Sequence, residues 1–173
     1  MPDYLLDTNI LRYWYDNHPK VLARVQAVRQ PEPETGYVAR LYISVVTLGE
    51  IEYGHRFAPT PNLPQQALYL KFVKEQCPET FGIVAGTAED YGRLKSWLMN
   101  TYSPHTMRGK AKRLKQLVDP ATAEEIGVQE NDLWIAAQAM THNLVLVTHD
   151  SRGYFREALR QFAPVLRVED WTE

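Results

Sequence analysis

The sequence predicts an α/β domain built on a mostly parallel sheet of about five strands. Short apolar runs alternate with segments whose apolar residues recur at helical spacing, and this alternation is typical of strands joined by crossover helices. Proline-rich loops at 31–36 and 59–64 separate several of these segments. The candidate strands cover residues 3–6, 41–46, 81–85, 144–148 and 165–168.

The candidate helices between these strands follow from an apolar period of about 3.6 residues. The four helical faces consist of Val21, Leu22, Val25 and Val28; of Leu68, Phe72 and Val73; of Tyr91, Leu94 and Leu98; and of Phe155, Leu159 and Phe162. We interpret all of these faces as parts of the core. Another regular helix opens at Asn131-Asp132 and ends at Asn143, directly before the fourth strand.

Residues 101–129 are interpreted as an excursion from a single domain that spans residues 1–173. Within it, residues 110–118 are expected to form a short basic helix. Residues 122–125 are expected to start another turn, which Gly127 ends.

Composition excludes several classes of protein. The 173 residues are 45% hydrophobic, which suits one compact domain, and no apolar run is long enough to cross a bilayer. The first four residues do not resemble a secretory signal, so we expect a cytoplasmic protein. Cys77 is the single cysteine, which excludes an internal disulfide and a thiolate zinc site.

The charge is unevenly distributed although the net charge is only −2. Residues 91–118 carry seven basic side chains and no acid, and the rest of the chain holds 12 basic against 21 acidic residues. This asymmetry favours a polyanionic partner near the basic segment, whereas a solvated surface explains it equally well.

Four acids lie where apolar runs stop or begin. Asp7 follows the first strand, Glu50 follows the second, Asp132 opens the helix near residue 131, and Asp150 follows the fourth strand. Because open parallel sheets bind ligands outside the carboxyl ends of their strands, these carboxylates are expected to converge. Two unit charges 4 Å apart repel by roughly 4 kcal/mol at an effective dielectric of ~20, so a cation, a shared proton or a function must compensate them.

Each acid also has a structural explanation. Asp7 or Thr8 can cap the following helix. Residues 47–50 read as a capping box in which Glu50 pairs with Thr47. Asn131 is a plausible N-cap, although Ala136 and Ala139 continue the face of Asp132 in small side chains that allow close packing on the sheet.

Other polar residues near the last strands are less informative. His149 is interpreted as a loop residue, because no second histidine lies at metal-ligand spacing. Arg152, Arg156 and Arg160 recur every four residues and suit phosphate binding, although a solvated helix face is the commoner use of each. Carboxylate, Thr and Asn oxygens favour Mg²⁺ or Mn²⁺, and a phosphodiester suits such a site.

Four blocks together resemble the PIN-domain ribonucleases of the VapC toxin type: residues 5–11, 43–51, 130–137 and 146–150. The resemblance implies a three-layer α/β/α fold and a Mg²⁺- or Mn²⁺-dependent endoribonuclease that leaves a 5′-phosphate and a 3′-hydroxyl. It also implies a homodimer and a cognate antitoxin that inserts a segment into the active-site groove.

The resemblance assigns roles residue by residue. Asp7, Glu50, Asp132 and Asp150 would form the catalytic pocket, with Asp7 and Asp132 as direct metal ligands and the other two acting through water or a second ion. The supporting polar residues are Thr8, Asn9, Asn131 and Thr148.

The excursion 101–129 is longer than the connection usual in this family and holds five basic residues between Arg108 and Lys115. We hypothesise that it contacts the RNA backbone, while a dimer or antitoxin interface is the open alternative. The candidate RNA-binding residues of the chain are Arg108, Lys110, Lys112, Arg113, Arg152 and Arg156.

Other functions fit less well. A receiver domain would need a Lys near the last strands, and none follows Lys115. An aspartyl-nucleophile phosphohydrolase would need an Asp in place of Asn9, and no glycine-rich phosphate loop is present. The alternative that remains is a non-catalytic RNA-binding or protein-interaction domain on the same fold.

Overall fold

The computed structural model describes residues 2–103, 113–149, 154–162 and 166–173. Its centre is one five-stranded sheet with the order β3-β2-β1-β4-β5, in which all paired strands run parallel. The strands are β1 (Tyr4–Leu6), β2 (Leu41–Ser44), β3 (Thr80–Phe81), β4 (Val145–Val147) and β5 (Arg167–Glu169). The predicted mostly parallel sheet of about five strands is therefore confirmed.

Helices connect the strands in the described part of the chain. They are α1 (Thr8–Tyr15), α2 (Pro19–Val28), α3 (Val45–Phe57), α4 (Leu63–Gln76), α5 (Ala85–Tyr102), α6 (Glu130–Thr141) and α7 (Tyr154–Gln161). None of the helices in these ranges is long and apolar enough to cross a membrane.

Two hydrophobic clusters cover the two faces of the sheet and give it three layers. Along β1, Leu5 points into one cluster, while Tyr4 and Leu6 point into the other, as the period-two geometry of a strand requires. The cluster around Leu5 includes buried residues of α5, α6 and α7. The opposite cluster includes buried residues of α1, α2, α3 and α4, so the predicted α/β/α arrangement is confirmed.

The strand order creates a crevice at the centre of the sheet. From β1 the chain proceeds through β2 to β3 on one side, whereas β4 pairs on the other side of β1 and is followed outward by β5. A change of direction of this kind leaves a gap beyond the carboxyl ends of the two central strands, and that gap is the usual ligand site of open α/β sheets. Here it lies between the ends of β1 and β4.

Three predicted strands were too long at their carboxyl ends, the strand predicted at 144–148 by a single residue, since β4 ends at Val147. The strand predicted at 41–46 stops at Ser44, because the Ser44 hydroxyl accepts a hydrogen bond of 2.9 Å from the Val46 amide and starts α3 there. The strand predicted at 81–85 is only Thr80–Phe81, and α5 begins at Ala85. Leu68 lies on a helix as predicted but is 60% exposed, so its assignment to the core was wrong.

The predicted basic helix at 110–118 falls partly on residues outside the described ranges. From residue 113 onward the structure contains one 3-10 turn, Leu114–Gln116. Val118 then pairs in antiparallel fashion with Glu125, and Gly127 adopts a positive φ of 76°. The buried side chains that hold this segment in the core are Leu114, Leu117, Ile126 and Val128.

Candidate active site

Asp7 is placed at the central crevice by the end of β1. It is the N-cap of α1, and its Oδ1 accepts a hydrogen bond of 2.7 Å from the Thr8 amide. Its Oδ2 accepts a second bond of 2.7 Å from the Thr148 hydroxyl, which follows β4. The residue is only 8% exposed. Asp7 is therefore both a helix cap and a buried carboxylate between the two central strands.

The electrostatics of Asp7 match that position. The pKa of its carboxyl is raised from 3.8 to about 6, chiefly by burial. The nearby charge of Glu50 adds to the rise, whereas hydrogen bonds from Thr148 and Thr8 oppose it. A buried acid with a raised pKa is typical of a site that has a cation or a proton as its partner.

Asp132 enters the site from the first turn of α6. That helix begins at Glu130, with Gln129 as its N-cap, and the Asp132 Oδ2 accepts a bond of 2.7 Å from the Gln129 amide. The prediction that Asn131 is the N-cap was therefore wrong. Ala136 and Ala139 are fully buried, as expected of a helix packed closely on the sheet.

Glu50 links the starts of two helices. Its carboxylate accepts a hydrogen bond from the Thr8 hydroxyl of α1 and one of 3.0 Å from the Asn131 side-chain amide of α6. The predicted capping box of Thr47 and Glu50 is wrong, because Ser44 caps α3 and Thr47 lies inside the helix. Glu50 is consequently directed toward the starts of α1 and α6.

Asn9 fastens the loop that follows β4. Its side-chain amide donates to the His149 carbonyl at 2.6 Å, and its side-chain oxygen accepts from the His149 amide at 3.2 Å. Together with the hydrogen bond from Thr148 to Asp7, these two hydrogen bonds hold the end of β4 against α1.

Asp7 and Asp132 share one cavity of about 200 Å³. Its described lining residues are Asp7, Asn9, Gly127, Gln129, Asp132, Thr148, His149 and Phe155. Glu50 is joined to the site through Thr8 and Asn131 and is absent from this described lining. The fourth predicted acid, Asp150, lies outside the described residues.

This cavity suits a hydrated divalent cation. Within the described ranges, no three His, Cys, Asp or Glu side chains are grouped closely enough to hold a metal by themselves. Mg²⁺ does not require such a group, because it usually keeps several waters and binds through one or two carboxylates. The two aspartates provide hard oxygen ligands, and the volume has room for several water-sized ligands.

A larger cavity of about 560 Å³ lies between α2, α7 and the end of β5. Its lining combines three basic residues with three acids, and Arg24 is already paired with Glu169 at 3.0 Å. The basic residues are Lys20, Arg24 and Arg160, and the acids are Glu169, Asp170 and Glu173. We assign the active site to the smaller cavity, because it lies at the change of strand direction, where Asp7 from the end of β1 meets Asp132 from the start of α6.

The predicted RNA-binding residues have different surroundings. Arg113 is exposed at the start of the 3-10 turn. The Arg156 side chain is only 11% exposed and forms ion pairs with Asp170 and Glu173, so the geometry gives no support to an RNA contact there. The remaining four, Arg108, Lys110, Lys112 and Arg152, lie outside the described residues.

One acid near the site was missed from the sequence. Asp170 follows β5 at the same edge of the sheet and lies within 3.0 Å of the His149 Nδ1. The rule that located Asp7, an acid directly after a strand, could have found Asp170 as well. His149, interpreted as a loop residue, lines the cavity.

Comparison with known proteins agrees with this architecture. The family model described as PIN domain matches residues 4–159. The chain is 25% identical over 177 residues to Ribonuclease VapC1 of Haemophilus influenzae strain R2866, with 98% of both sequences covered.

Solved structures share the fold. VapBC-1 from nontypeable Haemophilus influenzae superposes with a TM-score of 0.63 at 25% identity, and the match covers 98% of both chains. VapBC2 from Rickettsia felis, bound to a promoter DNA fragment, gives a TM-score of 0.63 at 22% identity over 97% of this chain and 98% of that one. The topology and the acidic crevice define a three-layer α/β/α protein with a candidate site at the carboxyl ends of its central strands. The chain belongs to the PIN domain family.

Proposed function

We propose that this protein is a divalent-metal-dependent endoribonuclease that hydrolyses RNA phosphodiester bonds and acts as the toxin of a toxin–antitoxin pair. The observation that carries the proposal is the placement of Asp7 and Asp132 in one cavity at the central crevice of the sheet. The similarity to Ribonuclease VapC1 supports RNA as the substrate.

In this proposal Asp7 and Asp132 hold the cation, which is Mg²⁺ or Mn²⁺ because all of the ligands are hard oxygens. When bound, such a cation polarises a phosphoryl oxygen and lowers the pKa of a bound water. Glu50 acts through water or a second ion, and the family resemblance gives the same role to Asp150, which lies outside the described residues.

The supporting residues set the geometry of the acids. Thr148 and the Thr8 amide fix the two carboxylate oxygens of Asp7. The Gln129 backbone amide orients Asp132. The Asn131 side-chain amide and the Thr8 hydroxyl orient Glu50. Asp7, Glu50 and Asp132 are therefore directed by donors at helix starts and, for Asp7, also at the end of β4, which is the preorganisation that an active site requires.

The proposed partners follow from the same family. We expect an RNA substrate, a homodimer and a cognate antitoxin that occupies the groove over the acidic cavity. The similarity to VapBC-1 supports the antitoxin. A ribonuclease of cellular RNA would act in the cytoplasm.

The decisive experiment compares the wild type with Asp7→Asn. We expect the wild type to cleave total cellular RNA in the presence of Mn²⁺ and the variant to lose cleavage, because the metal-binding charge is removed while the Asn oxygen can still accept from the Thr8 amide. The cut sites, mapped after brief expression, would identify the target. Asp16→Asn, at an exposed carboxylate directly after α1, is the matched control and should cleave normally.

Thermal melting with and without Mn²⁺ tests metal binding separately. Metal at 100 times its dissociation constant should stabilise the wild type by about 2.7 kcal/mol and should leave Asp7→Asn nearly unchanged. Wild-type cleavage by Asp7→Asn would refute the catalytic assignment. RNA binding without any cleavage by the wild type would instead support the non-catalytic alternative.

A further inference from the structure

We propose that Asp170 is a positioning residue of the acidic cavity, which acts through His149 and Thr172 on the loop that follows β4. The proposal rests on the function proposed above and deepens it, because it assigns a role to a fifth acid, which is absent from the described lining of the cavity.

Asp170 is held from several sides. Its side chain is fully buried, and its Oδ1 accepts bonds from the Thr172 amide at 2.8 Å and the Thr172 hydroxyl at 2.7 Å. Its Oδ2 lies 3.0 Å from the His149 Nδ1 and forms an ion pair with Arg156. A buried carboxylate with this set of donors is fixed in one orientation, because losing a partner would leave buried charge uncompensated.

This arrangement determines which ring nitrogen of His149 carries a hydrogen. Burial opposes ionisation, but hydrogen bonds from Thr172 and His149 lower the pKa of Asp170 below its ordinary value. An ionised carboxylate can only accept, so the His149 Nδ1 carries the hydrogen and donates it. The Thr172 hydroxyl, 2.9 Å from the same nitrogen, gives its own hydrogen to Asp170. The imidazole is thereby oriented from one side, while the Tyr13 ring packs edge-on at 5.5 Å.

The position of His149 is linked to the Asp7 carboxylate, the proposed metal ligand, by two sets of hydrogen bonds. The His149 backbone makes the double hydrogen bond to the Asn9 side chain, which fixes the loop against α1. The preceding residue, Thr148, donates to the Asp7 Oδ2. Outer partners of this kind set ligand orientation, and changing them typically reduces metal affinity or activity ~10–100-fold.

A purely structural role is the competing explanation, since Asp170 also anchors α7 through Arg156. Glu173 provides a matched control for that role. It binds the same guanidinium at 2.5 Å, but its side chain is 60% exposed. Asp170→Asn and Glu173→Gln both weaken the link to Arg156, whereas only Asp170→Asn removes the charged acceptor of His149.

The first measurement uses the full-length metal-free chain and follows amide hydrogen exchange. In Asp170→Asn the His149 amide should exchange at least ~10-fold faster relative to the amides of β2, because the loop loses its anchor while the core remains intact. Glu173→Gln should leave this ratio unchanged. An unchanged ratio in Asp170→Asn, or an equal change in both variants, would overturn the proposal.

The second measurement is the Mn²⁺ concentration that gives half of the thermal stabilisation. Asp170→Asn should raise it ~10–100-fold, and Glu173→Gln should not. If the wild type binds no Mn²⁺, the proposed function fails, and the exchange ratio alone decides the role of Asp170. If Asp170→Asn does not fold, His149→Ala, which removes the Nδ1 donor from the same contact, should raise the Mn²⁺ midpoint, whereas Glu173→Gln should not. Equal midpoints in His149→Ala and Glu173→Gln would refute the proposal.

Discussion

Asp7 shows how one residue can satisfy two explanations that compete at the level of sequence. It caps α1 through Oδ1 and also presents a buried carboxylate to the cavity, because a strand end and a helix start coincide there. Capping alone does not require burial, since exposed caps are common. The buried position and the raised pKa of about 6 are what separate Asp7 from an ordinary cap.

The raised pKa predicts how the metal-free protein responds to pH. The folded state binds the Asp7 proton more tightly than the unfolded state, so stability from this group is present below pH 3.8 and is lost as pH rises through about 6. The shift corresponds to at most about 3 kcal/mol. Urea denaturation of Asp7→Asn should therefore show a higher free energy of unfolding than the wild type at pH 7, and a smaller decline between pH 4 and 6.

The same acid should make metal binding pH-dependent. Below pH 6 a proton competes with the cation for Asp7, so stabilisation of the wild type by Mn²⁺ should weaken as pH falls from 7 to 5. Asp16→Asn, changed at an exposed carboxylate, should follow the wild type in both titrations. Equal pH dependence in the wild type and Asp7→Asn would mean that another group controls stability in this range.

Helix boundaries were the elements that the sequence predicted least well, and hydrogen bonds explain the errors. Val45 and Val46 extend the apolar run of β2, so pattern alone prolongs the strand, but the Ser44 hydroxyl captures the Val46 amide and starts α3. At α6 the Asp132 carboxylate bonds to the Gln129 amide, which moves the cap two residues before Asn131. Apolar period shows that an element exists, whereas caps decide where it begins.

Two glycines with different backbone conformations should respond in opposite ways to replacement by alanine. Gly54 lies inside α3, and a Cβ built there meets nothing within 4 Å. Gly54→Ala should therefore stabilise the protein by about 0.5–1 kcal/mol, because Gly is a poor helix former. Gly127→Ala should destabilise it by about 1–2 kcal/mol, because that position has a φ of +76°.

Both glycine variants can be compared by urea denaturation at one pH. Because both add the same methyl group in open space, backbone conformation is the difference between them. A stabilising Gly127→Ala, or a destabilising Gly54→Ala, would contradict the helical and left-handed conformations on which the prediction depends.

At the scale of the whole molecule, the search for acids that directly follow predicted strands located the site, because the topology of the sheet brings these acids together. The reversal of strand order between β1 and β4 brings Asp7 and Asp132 into one cavity across 125 residues of chain. The same search did not select Asp170, because the fifth strand was predicted to end at residue 168, whereas β5 ends at Glu169, directly before Asp170. The contacts of Asp170 with His149 and Arg156 join residues distant in the sequence and can be recognised only in the structure.

The basic excursion gives the last prediction, which concerns RNA binding by the molecule as a whole. Arg113 and Lys115 are exposed on a segment whose backbone is held against the core by buried Leu114 and Leu117, so both side chains extend from a fixed part of the surface. Replacing both by Ala in an Asp7→Asn background should weaken RNA binding and reduce the slope of log affinity against log salt by about 1 to 2, as expected for two lost phosphate contacts on a single strand.

A matched pair of cations separates a local contact from net charge. Lys71 and Lys74 are exposed on α4, whose buried residues belong to the opposite face of the sheet. Replacing them by Ala removes the same charge and should leave the salt slope of RNA binding unchanged. If both double variants reduce the slope equally, the effect is long-range attraction by net charge. If neither does, the excursion is free to serve the dimer or antitoxin interface, and loss of antitoxin binding in the Arg113/Lys115 variant would then locate that interface.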